Sequence, residues 1–321
     1  MALSPAPTQN TKGALLGLVA FGVFSVHDVI IKQLGATYST FQIVFFSALL
    51  TFPLLTLIMI GDKRPDTLRP RHPWWLALRS VSGSVSALAA FYAFSVLPLA
   101  EVYAFIFASP LIVTVLAIPV LGEKIRLRRG AAVLLGLAGV MVVLQPGASP
   151  LTAGHVAALV AAIAGATAAV VVRKIGREER GVVMILYPMI VNLLVTAFAL
   201  PFVYVPVALA DLGWLALDAV LVLIAMATLV AAYARASAVF VAPMQYSQII
   251  WGVAFGVLLF GEYPALNVYA GVAIIALSGL YILRREASGK VSENTPVLKT
   301  RTRAGLSSGL RVGALLRRRG K

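Results

Sequence analysis

Apolar residues run on for about twenty positions at a time in this chain, and polar residues arrive in short bursts between the runs. Ten runs can be marked, at roughly 13–34, 40–60, 74–96, 99–121, 129–145, 153–173, 182–206, 213–234, 239–260 and 265–283. Most approach the ~20 residues an α-helix needs to cross the hydrocarbon core of a bilayer. Leu97-Pro98, Gln145 to Thr152 and Gly261 to Pro264 are joints so short that the helices they connect must be antiparallel neighbours. The pattern predicts an all-α integral membrane protein of ten transmembrane helices.

One stretch organises the rest. Leu97 to Glu123 is an apolar run broken by Pro110 and Pro119 and stopped at Gly122-Glu123, and the same Gly-Glu ending closes the ninth run at Gly261-Glu262, 139 residues later. At that offset little else is identical, Val102 and Val241 among it. The first run is too long for the apolar segment of a signal peptide and reads as a retained helix.

Composition agrees with the bilayer as solvent. Mean hydropathy is +0.93, with 60% hydrophobic and only 12% charged residues, too few to clothe a soluble domain. The net charge of +15 is segregated: residues 284–321 hold 11 Lys/Arg against 2 Asp/Glu. If the N-terminus is placed inside, 26 of the 27 Lys/Arg fall on the inner side and only Lys32 lies toward the other. Such placement marks topology and not a nucleic-acid surface. The fourth and ninth spans, five apart, then point in opposite directions. Two inverted five-helix repeats follow, 13–147 and 148–286, flanked by an N-terminal cytoplasmic segment (1–12) and a basic tail (287–321) expected to be disordered. The tail's Arg317 to Arg319 suit contact with anionic lipid. Small residues recurring through 79–91 and 157–172 are suited to close helix packing.

AFYAFSVLPLAEVYAFIFASPLIVTVLAIPVLGE with RLRRGAAVLLGLAGVMVVLQPG resembles the EamA domain of the drug/metabolite transporter superfamily, and VAPMQYSQIIWGVAFGVLLFGE with YAGVAIIALSGLYIL resembles its second copy. FSVHDVIIKQL with FQIVFFSAL looks like the opening of the first copy. The resemblance covers roughly 13–286. It implies ten helices, both termini cytoplasmic, a bacterial inner-membrane setting, and movement of small organic solutes by alternating access. Many relatives carry Arg where this chain has Ser47, so an anion-binding role does not transfer to that position.

Candidate site residues fall in three groups. His27, Asp28 and Lys32 sit in the outer half of the first span, with Asp28 and Lys32 one helical turn apart. A charge at a span centre costs about 2.5–3.5 kcal/mol on insertion scales and so faces a cavity or a partner. A local Asp28–Lys32 pair, with Lys32 snorkelling outward, stands beside substrate or proton binding by Asp28. Gln245, Tyr246, Gln248 and Trp251 follow Pro243 in the ninth span, where amides and aromatics offer a pocket wall or interhelical hydrogen bonds. Tyr103 and Phe107 in the fourth span are their counterparts across the repeat. Glu101 is read as solvated near the outer surface, Arg79 as a topology anchor after the Trp74-Trp75 belt, and Glu123 and Glu262 as braces of helix ends.

Much chemistry is missing. There is no cysteine, the three histidines (His27, His72 and His155) are dispersed, and no nucleotide-binding glycine motif occurs. GLSSG at 305–309 matches a nucleophile-elbow pattern but lies in the polar tail without a preceding strand. No cofactor or metal is expected, and the chain is not read as an enzyme. The reading is a secondary active transporter of a small polar organic metabolite, coupled to protons or exchange. A membrane-embedded enzyme on lipid-linked substrates, or a non-transporting scaffold, is the alternative.

Overall fold

The computed structural model describes residues 7–60, 68–122, 127–145, 151–176, 178–179, 181–236, 238–287, 302–303 and 306–307. All ten predicted runs are helical. They are α1 (Pro7–Gly35), α2 (Thr40–Ile60), α3 (Pro73–Val96), α4 (Leu99–Phe107) with α5 (Ser109–Leu121), α6 (Leu127–Leu144), α7 (Ala153–Ile175), α8 (Gly181–Val203) and α9 (Leu209–Arg235), followed by α10 (Ala238–Val241) with α11 (Ser247–Phe260), and α12 (Leu266–Ala287). Among the described residues seven helices meet the length and hydropathy of a span outright, and Thr40–Pro53, Gly130–Leu144 and Leu266–Ile282 are shorter apolar stretches in the second, fifth and tenth.

Three local differences from the expected pattern have physical causes. The first helix begins at Pro7, six residues before the apolar run, because proline is tolerated in a first helical turn and membrane length limits only the apolar part. The fourth span is two helices meeting at Ala108: Pro110 has no N–H to give and its ring crowds the carbonyl four residues back. The chain tightens there, with Ala108 N–H on Phe105 O and Leu111 N–H on Ala108 O, both at 3.0 Å. Pro119, expected to break the run as well, stays inside α5. The ninth span is broken by a 3-10 turn, Ala242–Tyr246, beside Pro243. Both broken spans end on a left-handed glycine, Gly122 (φ 68) and Gly261 (φ 65), a backbone state that glycine adopts without a Cβ penalty.

Helix pairing shows the inverted repeat directly. The most extensive contacts are α3 with α7 and α1 with α9. Advancing each span by five exchanges these two pairs, whereas α6–α12, α2–α8 and α4–α11 map onto themselves. That is the contact pattern of a pseudo-two-fold axis relating the halves. Alternate connections also gather at opposite ends. At one end Tyr38 donates to Asp211 (2.7 Å) and the Gln42 amide to Val205 O (2.6 Å). At the other, His72 N–H reaches Glu179 (2.5 Å) and the Lys174 ammonium reaches Val120 O (2.8 Å). The outer surface is apolar, with Phe198, Phe202, Leu134 and Leu258 exposed, as suits a lipid-facing wall.

Close approach in lipid relies on small residues. At the α6–α12 crossing a Cβ on Gly271 would lie 2.5 Å from Gly139 O, and one on Gly139 would lie 2.8 Å from Gly271 O. Backbone cannot yield as a flexible side chain does, so Gly271→Ala should destabilise the protein by ~1–3 kcal/mol, the range for overpacking. Gly213, in α9, meets nothing within 4 Å, and Gly213→Ala should be neutral or stabilising. Thermal unfolding of the two variants in detergent checks the contrast.

Of the tail, the described residues Thr302–Arg303 and Leu306–Ser307 form a minimal antiparallel pair where disorder was expected. Glu123 and Arg317 to Arg319 lie outside the described residues.

Candidate functional site

Six helices, α1, α2, α3, α7, α8 and α9, enclose an elongated cavity of about 150 Å³, with Ile106 of α4 at its edge. Most of its wall is apolar or small, including Ala87, Ala90, Phe91, Gly165, Ala168 and Val222. The polar groups concentrate at two places along its length.

The first is a carboxylate–imidazole cluster. Asp28 and Asp218 are 1% and 0% exposed and lie on either side of His27. His27 Nδ1 is in direct hydrogen-bond contact with Asp218 Oδ1, and Nε2 lies 3.7 Å from Asp28 Oδ1. An ionised Asp218 only accepts, and toward it the imidazole presents the Nδ1–H tautomer. The Tyr103 hydroxyl donates to Asp28 Oδ2 (2.6 Å) and the Ser47 hydroxyl to Asp218 Oδ2 (2.8 Å). Phe91 closes the other side of the imidazole in an edge-on contact, with ring centroids 5.8 Å apart. The cluster therefore joins α1 and α2 to α9 and, through Tyr103, to α4.

The second is Arg79. It was expected to anchor topology at the surface. Instead it is 1% exposed and lines the cavity, on a helix that packs along both α7 and α8. Its Nε, Nη1 and Nη2 have no hydrogen-bond partner, nor do Ser84 Oγ and Asn192 Oδ1, which line the same cavity. Phe91, against which His27 rests, is twelve positions beyond Arg79 on α3, about 18 Å at 1.5 Å per residue. Burying an ion costs several kcal/mol. Neither aspartate offsets that cost through a hydrogen bond to Arg79.

Other expectations are redistributed. Lys32 does not pair with Asp28: it reaches Glu262 Oε1 (2.7 Å) and donates to Leu97 O (2.6 Å). Tyr103 occupies Asp28 instead, so the local pair yields to partners from α4 and the end of α11. Glu262 also accepts from Leu99 N–H (3.1 Å), which makes it the brace expected of it. Glu101, read as solvated, faces His155 at 3.3 Å.

Of the aromatic and amide residues, none from the ninth span lines the cavity. They form a layer behind it. Phe107 stacks on Tyr103 (5.9 Å) and meets Tyr246 edge-on (5.1 Å). Gln248 is 1% exposed with both amide atoms unpartnered. Gln245 is half-buried in the 3-10 turn, and Trp251, 36% exposed, stacks on Phe255. Gly252 matters to the site because a Cβ there would lie 2.5 Å from the Tyr103 ring, displacing the hydroxyl that holds Asp28.

Asp218, Asn192 and Ser84 were not singled out in the sequence, although Asp218 carried a signal: a carboxylate inside an apolar run.

Comparison with known proteins fits this architecture. Residues 11–145 match the model of the EamA-like transporter family. The pseudopaline exporter CntI of Pseudomonas aeruginosa is 28% identical over 82% of this chain and 93% of its own. The riboflavin transporter of Vibrio cholerae is 28% identical over 89% of this chain and 96% of its own. The S-adenosylmethionine uptake transporter of Rickettsia bellii is 25% identical over 85% and 92%. A protein of known crystal structure, 18% identical, superposes with a TM-score of 0.58 over 86% of this chain and 99% of that one, a likeness of fold alone. With residues 11–145 similar to the EamA-like transporter family and its helices paired as two inverted five-span repeats, the chain is an integral multi-pass membrane protein that resembles transporters of that family.

Proposed function

We propose that the protein is a secondary active transporter that moves a small polar organic metabolite through the cavity by alternating access, with proton coupling at Asp28. The observation that carries this reading is the buried Asp28–His27–Asp218 cluster facing a cavity where helices of both halves meet. Ionisable groups deep in a membrane protein are costly, and they face solute and proton pathways when they do occur. Residues 13–147 and 148–286 would be the rocking halves, in the bacterial inner membrane, with both termini cytoplasmic. Inverted repeats with a site near the midplane are a recurrent carrier architecture, and discontinuous helices such as the fourth and ninth spans are part of it. Tyr103 sets the Asp28 carboxylate, while Phe107, Gln245, Tyr246, Gln248 and Trp251 form a supporting layer that repacks as the halves move.

The names of the relatives support a solute of metabolite size. They include an exporter and an uptake transporter, so no direction is carried over.

In proteoliposomes, flux of the solute should respond to an imposed pH gradient, and Asp28→Asn should abolish that response. Asparagine keeps the shape of the side chain and its bond from Tyr103 but cannot cycle a proton. Unchanged pH dependence in the variant would remove Asp28 from the coupling mechanism.

A further inference from the structure

We propose that Arg79 is an anion subsite within the cavity and that the transported solute carries a carboxylate which Arg79 binds. The inference rests on the cavity being the transport site. Arg79 is buried and lines the cavity with all three guanidinium nitrogens unpartnered. Two further wall groups, Ser84 Oγ and Asn192 Oδ1, are also buried without partners. Buried polar atoms in folded proteins are nearly always satisfied, and five such atoms sharing one cavity call for an occupant. A guanidinium presents a planar fork of donors that matches a carboxylate bidentately, and a serine hydroxyl adds one more donor. The space for that occupant is present: a Cβ on Gly83, which lines the cavity between Arg79 and Ser84, would meet nothing within 4 Å.

The far end of the cavity has the opposite character. Asp28 and Asp218 offer two carboxylates to one imidazole and are suited to a cationic group. The two ends therefore favour a solute bearing both charges, such as an amino-acid derivative, over a simple amine. The helix positions that carry the ends are about 18 Å apart. A compact α-amino acid, whose charges are adjacent, would engage them in turn as it passes.

The test uses thermal unfolding of the full-length protein in detergent, with three probes at equal ionic strength: succinate, inorganic phosphate and ethylammonium. Succinate should raise the wild-type melting temperature by about 2 °C at ten times its dissociation constant. It should do nothing to Arg79→Gln, nor to Gly83→Leu, which fills the space beside an intact Arg79. Without any probe, Arg79→Gln should melt a few degrees higher than wild type, since it removes an uncompensated buried charge. An arginine that merely supports the fold would give a lower melting temperature on removal, and that result overturns the proposal. So does a succinate shift that survives in Arg79→Gln, a phosphate shift with none from succinate, or the absence of any succinate shift. Ethylammonium separates this proposal from the reading beneath it. A shift lost in Asp28→Asn but kept in Arg79→Gln leaves the cavity standing whichever way the anion result falls.

Discussion

Asp218→Asn should reduce solute flux in proteoliposomes by roughly 100-fold, as expected when one partner of a buried, hydrogen-bonded charge pair is lost at ~3 kcal/mol. Asp218 is the carboxylate in direct contact with His27 Nδ1, and its second oxygen takes the Ser47 hydroxyl at 2.8 Å. Asparagine preserves volume and one acceptor, so the helix packing of α9 against α1 should survive and the protein should remain folded. What disappears is the negative charge that orders the imidazole between two carboxylates. The control is Asp211→Asn. That aspartate also lies on α9, but it bonds Tyr38 at the end of the bundle and does not line the cavity, so flux should change little. His27 lies between both carboxylates, so if the three act as one unit the double variant Asp28→Asn/Asp218→Asn should be scarcely slower than either single one. Additive losses would mean that the two carboxylates do separate jobs.

The second large effect is at the latch between the halves. Lys32→Met or Glu262→Gln alone should destabilise the protein by ~3 kcal/mol, because each leaves a nearly buried charge without its partner. Lys32 joins the end of α1 to Glu262 beyond α11 and to Leu97 O before α4, and Glu262 also holds Leu99 N–H. Three elements from both halves are therefore tied at one point. Lys32→Met/Glu262→Gln together should recover much of the loss, since no orphan charge remains. Thermal unfolding of the four proteins gives a coupling energy, expected at ~1–3 kcal/mol for groups in contact. A coupling near zero would show that the ion pair is no latch. If this end opens during transport, the double variant should also alter turnover more than affinity.

Much of this fold was legible in the chain. The ten runs, the antiparallel joints and the inverted halves came from hydropathy, basic residues and parity, because the bilayer tolerates few alternatives to a spanning helix. The Gly122 and Gly261 endings were visible as punctuation, and both proved to be left-handed caps. The site was legible only in part. Asp28 and His27 could be named because charge inside an apolar run is costly. Asp218 bore the same mark but gained meaning only from contact with His27, 191 residues away. Arg79 was misplaced because its position near the start of a span resembles a surface anchor, and only the packing of α7 and α8 over it shows otherwise.

The chain by itself determined where the helices are, how many cross, and that the second half runs opposite to the first. Those properties depend on local sums: the apolar length of each run and the basic residues beside it. The tertiary structure alone decided which polar residues share a cavity. Lys32 left Asp28 for Glu262, Tyr103 took its place, and Arg79 turned inward without a partner. In a low-dielectric interior a polar group is held by whichever complementary neighbour the packing brings to it, and for Lys32, Asp28 and His27 those neighbours belong to other helices or their ends, while Arg79 is brought none among the described residues.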